Sequence, residues 1–215
     1  DGMCVDLKGR CNGVFDCSDG SHESVCEPLS IDKKNYRKTI PPFTGPKKTI
    51  IIIRINIESI ETIDDLASTF TSQVLISLRW RDHRITFRNL AQSKKLLSKV
   101  WYDQIWLPNI YFSNTLEYKR ILNGNYIQVA IIPCGQPLLS KISELNEANI
   151  FKGEENDLYL KSCDTVTFKC NFELWKYPFD VQQCSVDVKI PLELRNYTTL
   201  NPTGFIYTGI FKIIN

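Results

Sequence analysis

Eight cysteines in 215 residues constrain this chain more than any other feature. Four of them, Cys4, Cys11, Cys17 and Cys26, crowd into the first 26 positions; the others are Cys134, Cys163, Cys170 and Cys184. An even number at close spacing points to disulfides and an oxidising compartment. Zinc is the competing reading of such a set. It is poorly supported, because no CxxC pair occurs and only His22 and His83 offer an imidazole. The sequon Asn196-Tyr197-Thr198 agrees with a secretory route and marks Asn196 for glycosylation. No signal peptide stands at Asp1, so the chain reads as mature or excised.

Composition excludes several classes. Apolar residues make up 43% and charged residues 23%, the balance of an ordinary globular chain. A net charge of +2 gives no field for nucleic acid or an anionic membrane. The basic stretch with Lys33, Lys34, Arg37, Lys38, Lys47 and Lys48 is interrupted by Pro41, Pro42 and Pro46. It reads as a linker and entry segment over 29–48, and it lacks the interleaved aromatics of a nucleic-acid arm. The longest aliphatic run, Thr49 to Ile57, contains Arg54 and Asn56 and falls short of the ~20 apolar residues a membrane helix needs. An enzyme is not expected, since no nucleophile–histidine–acid set can be assembled around His22 and His83.

The chain changes texture along its length. Residues 1–28 are acidic and too poor in apolar side chains to bury a core, so they need staples or a metal. The carboxylates of Asp16, Asp19 and Glu23 supply hard oxygen ligands suited to calcium. Beyond the linker, Ile51, Ile53, Ile55 and Ile57 recur with period two. Phe70, Val74, Ile76, Leu78 and Trp80 share one parity while Gln73, Ser77, Arg79 and Arg81 take the other, the pattern of a half-buried strand. The stretch IETIDDLAS between these two strands supplies a turn. Further strands are expected within 125–132, 157–174, 184–194 and 209–215, and helical spacing occurs only at 90–101. Many short strands with a disulfide between them indicate an antiparallel β-sandwich.

Cys170 and Cys184 enclose the loop CNFELWKYPFDVQQC. Bridging a loop of that size contributes about 3 kcal/mol through the unfolded chain. Pro178 fixes φ at the tip, and Phe179 places an apolar ring beside the charge of Asp180. Two readings stand on spacing alone. One is a rigid tip offered to another layer of structure; the other is a hairpin staple whose Phe179 folds back on its own core.

This loop resembles the signature of the Cys-loop receptors, the pentameric ligand-gated ion channels, which read C-x13-C around [FY]-P-[FM]-D-x-Q-x-C. The likeness extends over most of 36–215. YRKTIPPFTGP is similar to the segment before the family's first strand, LRWRDHRITF to W-x-D-x-R-[LI] of the second, and YTGIFKIIN to the opening of the ninth. IWLPNIYFSN is similar to W-x-P-D-x-x-F-x-N, with Asn109 in place of the acid. The resemblance implies a twisted, immunoglobulin-like β-sandwich with a short N-terminal helix, the ligand-binding domain spanning 49–215 and cut before its last strands. It also implies a Cys170–Cys184 bridge and a homo- or hetero-pentamer of neighbouring subunits. In such an assembly Tyr177, Pro178, Phe179 and Asp180, with the turn from Glu61 to Asp65, touch the pore domain and pass on ligand-driven motion. Trp80 and Asp82 are expected to be structural.

In that family a small-molecule ligand sits between subunits in an aromatic box. The matching positions here are Leu75, which is not aromatic, Trp106, Tyr111 and Tyr197, the last being the nearest aromatic to Pro191. No ligand identity follows from them. The hairpin that caps the ligand and the four membrane helices would follow residue 215, and a chain ending before its tenth strand is expected to aggregate or stay monomeric. Residues 118–148 exceed the usual length between the fourth and fifth strands, and a second bridge, Cys134–Cys163, is expected there. The leading reading is the extracellular part of a channel subunit that couples ligand binding to gating, on the outer side of the plasma membrane. The alternative is a soluble secreted binding protein of the same fold, without a pore.

Residues 1–28 resemble the second part of an LDL receptor class A repeat, on the spacing C-x6-C-x5-C-x8-C and the string DCSDGSHE. That likeness implies a Cys11–Cys26 bridge and leaves Cys4 and Cys17 without their usual partners. It also implies calcium ligands at Asn12, Asp16, His22 and Glu23, with the carbonyls of Gly9 and Val14. No other cofactor is expected.

Overall fold

The computed structural model describes residues 17–23, 26–88, 90, 94–117, 119–120, 126–138, 149–176, 179 and 181–205. The described elements are mainly β. In chain order they are β1 (Leu29–Ile31), β2 (Thr49–Asp64), β3 (Thr69–Trp80), β4 (Ile85–Arg88), β5 (Lys95–Leu97), the four-residue helix α1 (Lys99–Tyr102), β6 (Tyr111–Phe112), β7 (Lys119–Arg120), β8 (Tyr126–Ile132), β9 (Ile150–Lys152), β10 (Asp157–Lys169), β11 (Val188–Lys189) and β12 (Thr198–Phe205). They form one six-stranded sheet, in the order β12-β2-β3-β10-β8-β5, and two three-stranded sheets, β1-β4-β9 and β11-β6-β7. The chain divides into two compact units, one of residues 1–42, 80–106 and 129–159, the other of 43–79, 107–128 and 160–215.

In the first unit, Leu29 faces Phe87 on β4, and Phe87 faces Phe151 on β9. Trp80, 1% exposed, meets the ring of Trp106 edge-on at 6.2 Å. At the corner after β3 sits Asp82, whose carboxylate is fully buried. Arg84 grips it with Nε to Oδ1 at 2.8 Å and Nη2 to Oδ2 at 2.7 Å, while the Tyr36 hydroxyl donates to Oδ2 at 3.0 Å. Tyr36 in turn accepts the Trp106 amide at 2.7 Å, and its ring lies under the Arg84 guanidinium. A buried charge is tolerable only when it is paired and hydrogen-bonded, and here every oxygen of Asp82 has a donor.

Burial, reinforced by the Asp82 carboxylate, raises the Tyr36 phenol above the ordinary tyrosine range. The unfolded chain therefore loses this proton first as pH rises. The stability tied to neutral Tyr36 is whole below about pH 10 and is lost progressively above it. Replacing Tyr36→Phe is expected to flatten the fall in unfolding free energy between about pH 9.5 and 11.5; equal slopes for the two proteins in urea titrations would contradict this.

The second unit is a small sandwich. The odd positions Ile51, Ile53, Ile55 and Ile57 of β2 are buried, as are Phe70, Val74, Ile76 and Leu78 along β3, the parity read from the sequence, which Trp80 of the first unit continues. The β2–β3 ladder runs from Ile52↔Arg79 to Asp64↔Thr69 with two irregularities, after Ile57 and after Ile60. Phe168 on β10 bridges the layers, stacked on Phe70 of its own sheet and edge-on to Phe112 of the other, both at 5.2 Å.

Several expectations change. The segment read as helical, 90–101, contributes β5 and begins α1 only at Lys99. Residues 95–97 pair with 129–131, and that ladder overrides the local spacing. Of 184–194 only Val188–Lys189 is a strand. The stretch 209–215 lies outside the described residues.

Candidate functional site

Cys170 and Cys184 form a disulfide with Cα atoms 5.3 Å apart. Three further features hold the loop at its root. The Cys170 amide donates to the Ser68 carbonyl at 2.9 Å, tying the loop to the turn of the β2–β3 hairpin. Ser68 reaches that position with φ of 53°, in the left-handed region. The Gln182 side chain accepts the Glu173 amide at 2.9 Å and donates to the Glu173 carbonyl at 3.1 Å, a rung across the loop. At the hairpin turn, the Asp64 and Asp65 carboxylates accept the amides of Ala67 and Leu66.

Beyond these braces the surface is apolar and open. Phe179 is 89% exposed, Val181 87% and Trp175 76%, and on the hairpin Ile63 is 66% and Leu66 96% exposed. Phe179 does not fold back on its core, which removes the staple reading of the loop. Tyr177, Pro178 and Asp180 lie outside the described residues.

The aromatic-box candidates separate. Trp106, at 3% exposure, is a core residue packed edge-on against Trp80, which favours a structural role. Leu75 is half-buried on β3 opposite Asn56. Tyr111 is half-buried on β6 opposite Lys189, and Tyr197, 40% exposed, packs on Phe43 at 4.8 Å. Asn109 keeps Oδ1 buried without a partner among the described residues. Sequence reading passed over two cations beside Tyr197: Lys48 donates to the Arg195 carbonyl at 2.8 Å, and Arg195 Nε to the Ile190 carbonyl at 3.2 Å. Nothing in the local sequence signals that pairing across 147 positions.

The expected Cys134–Cys163 bridge does not form; both thiols are free. Cys134 lies beside the start of β10, its thiol 3.8 Å from the Asp157 carboxylate. Cys163 lies six residues further along that strand and is half-buried. Near the N-terminus, Cys26 is disulfide-bonded and Cys17 is a buried free thiol. His22 is buried within the 3₁₀ turn Ser21–Glu23. Cys11, Asn12 and Asp16 lie outside the described residues, and among the described residues no three side chains gather to hold a metal. Asn196 is exposed.

The fold is a β-sandwich that carries a disulfide-closed loop with an exposed apolar ring. Residues 28–191 match the sequence model of the neurotransmitter-gated ion-channel ligand binding domain, and the chain belongs to that family. It is 27% identical over 164 residues to the gamma-aminobutyric acid receptor subunit beta-4 of Gallus gallus, covering 74% of this chain and 29% of that protein. It is 29% identical over 140 residues to the glutamate-gated chloride channel of Drosophila melanogaster, covering 63% and 26%. With the gamma-aminobutyric acid receptor subunit rho-2 of Homo sapiens it shares 22% identity over 180 residues, 83% of this chain and 32% of that one. The chain thus spans about a third or less of the length of these relatives. The family is one of receptors, not enzymes. No helix among the described residues is long and apolar enough to cross a membrane.

Proposed function

We propose that this chain is the extracellular ligand-binding part of a subunit of a pentameric ligand-gated ion channel. A small-molecule ligand binds where neighbouring subunits meet, and the Cys170–Cys184 loop passes the resulting motion to a pore. The observation that carries this reading is the braced loop with Phe179 held out at 89% exposure. Several apolar side chains exposed on a rigid support, Phe179 with Val181 and Trp175 on the loop and Ile63 and Leu66 on the hairpin, make a contact surface for a second layer. The relatives are named for receptors of gamma-aminobutyric acid and a channel gated by glutamate, which supports gating by a small ligand. The same proposal gives residues 1–28 to a partial LDL receptor class A module with a calcium site at Asn12, Asp16, His22 and Glu23. It also places a glycan on Asn196, whose exposure leaves room for one.

Sequencing the message past the codon for Asn215 tests the pore half of the proposal. Four apolar segments of ~20 residues are expected; a prompt stop codon would make the chain a secreted binding protein. In the full-length channel, Phe179→Ala is expected to leave unfolding free energy within about 0.5 kcal/mol of wild type, as at other exposed sites. Ligand-evoked current should fall at unchanged surface expression. Unaltered current would remove the coupling role.

A further inference from the structure

Within the second unit a cleft of about 200 Å³ is lined by Lys48, Ile190, Arg195, Thr198, Thr199 and Leu200. No carboxylate lines it. The two cations are held there by main-chain carbonyls: Lys48 Nζ on Arg195, Arg195 Nε on Ile190. Neither cation has an acidic partner among the described residues, and the Arg195 Nη groups make no hydrogen bond among them. Of the two threonines in the lining, Thr198 donates its hydroxyl to the Leu194 carbonyl at 2.9 Å. Ile190 and Leu200, 8% and 5% exposed, form the apolar wall.

We propose that this cleft binds a small carboxylate with a short apolar tail. Arg195 is half-buried, so its unneutralised charge attracts an anion more strongly than it would in open water, while Lys48 is exposed and adds a weaker, screened attraction. The guanidinium fork matches the two oxygens of a carboxylate, and the lysine adds a point charge. Ile190 and Leu200 receive the hydrocarbon part, which distinguishes the ligand from a bare inorganic anion. An amine of the same size meets two like charges. The inference concerns binding alone and stands whether or not the chain gates a pore.

Calorimetric titration of the full chain with butyrate, butylamine and inorganic phosphate tests it. Butyrate is expected to bind saturably, phosphate at least several-fold more weakly, and butylamine not at all. Arg195→Gln should weaken butyrate binding at least tenfold and Lys48→Gln several-fold, with Arg195→Lys retaining part of the affinity and far-UV circular dichroism unchanged. If Arg195→Gln does not fold, Lys48→Gln and Arg195→Lys decide the matter. Equal butyrate affinity in wild type and variants, or equal binding of butylamine, overturns the proposal. Phosphate binding as tight as butyrate overturns the role given to the apolar wall.

Discussion

Asp82→Ala is expected to lower the melting temperature of the chain by roughly 10 °C. The carboxylate it removes is fully buried, and the arginine it abandons has a side chain only 20% exposed. Removing one member of a buried pair costs about 3–5 kcal/mol, because the other charge stays in a poor solvent without compensation. Tyr36 loses its acceptor at the same time, yet still holds the Trp106 amide. For a chain of this size each kcal/mol moves the midpoint by about 2–4 °C. Arg84→Met on the same background should recover part of the loss, since it withdraws the stranded charge. Thermal melts of wild type, both single variants and the double variant form the test. A loss below about 1 kcal/mol for Asp82→Ala would mean that the cluster organises geometry without supporting the fold.

The alternation that announced β2 and β3 was legible because one face of each strand is buried. It stopped being legible where burial stops: β2 continues to Asp64, but residues 58–64 are exposed throughout, so no period marks them. The stretch before β12 shows the opposite failure. Val186, Val188 and Ile190 are alternately buried as a strand would require, yet only two residues join a ladder. The Asn114 side chain accepts the Asp187 amide at 3.0 Å and donates to the Ser185 carbonyl at 2.8 Å, so an amide stands where a neighbouring strand would be. β12 itself pairs in parallel with β2 from across the chain, and Pro202 is tolerated because β12 lies at the sheet edge. Such a pairing carries no local signal.

At the site, the loop between Cys170 and Cys184 was readable from spacing and from the resemblance it carries. The exposure of Phe179 was not, because it depends on how the Glu173–Gln182 rung and the Ser68 turn hold the loop away from the core. Trp106 stands near the first ligand loop in the family resemblance, and the sequence left a structural role equally open. Its packing against Trp80 is a tertiary fact. Lys48 and Arg195 looked like ordinary solvated charges in the sequence, and only the parallel seam between β2 and β12 brings them to one cleft.

The other large loss is expected for Phe168→Ala. Its ring is 0% exposed and touches Phe70 in a stacked arrangement, interplanar angle 26°, and Phe112 edge-on at 89°. Phe168 therefore joins the six-stranded sheet to the β11-β6-β7 sheet within the second unit's core. Truncating a buried phenylalanine costs about 3–5 kcal/mol through lost transfer energy and the cavity left behind. Each aromatic contact adds roughly 0.5–1.5 kcal/mol beyond area. Phe168→Leu keeps most of the volume and loses both ring contacts, so it separates the two contributions. Urea unfolding followed by far-UV circular dichroism measures them, with the slope checked for constancy so that only stability is compared. A small loss for leucine beside a large one for alanine assigns the seam to filled volume. Similar losses for both would assign it to ring geometry, and the order of Phe70, Phe168 and Phe112 would then be the feature that holds the root of the Cys170 loop in place.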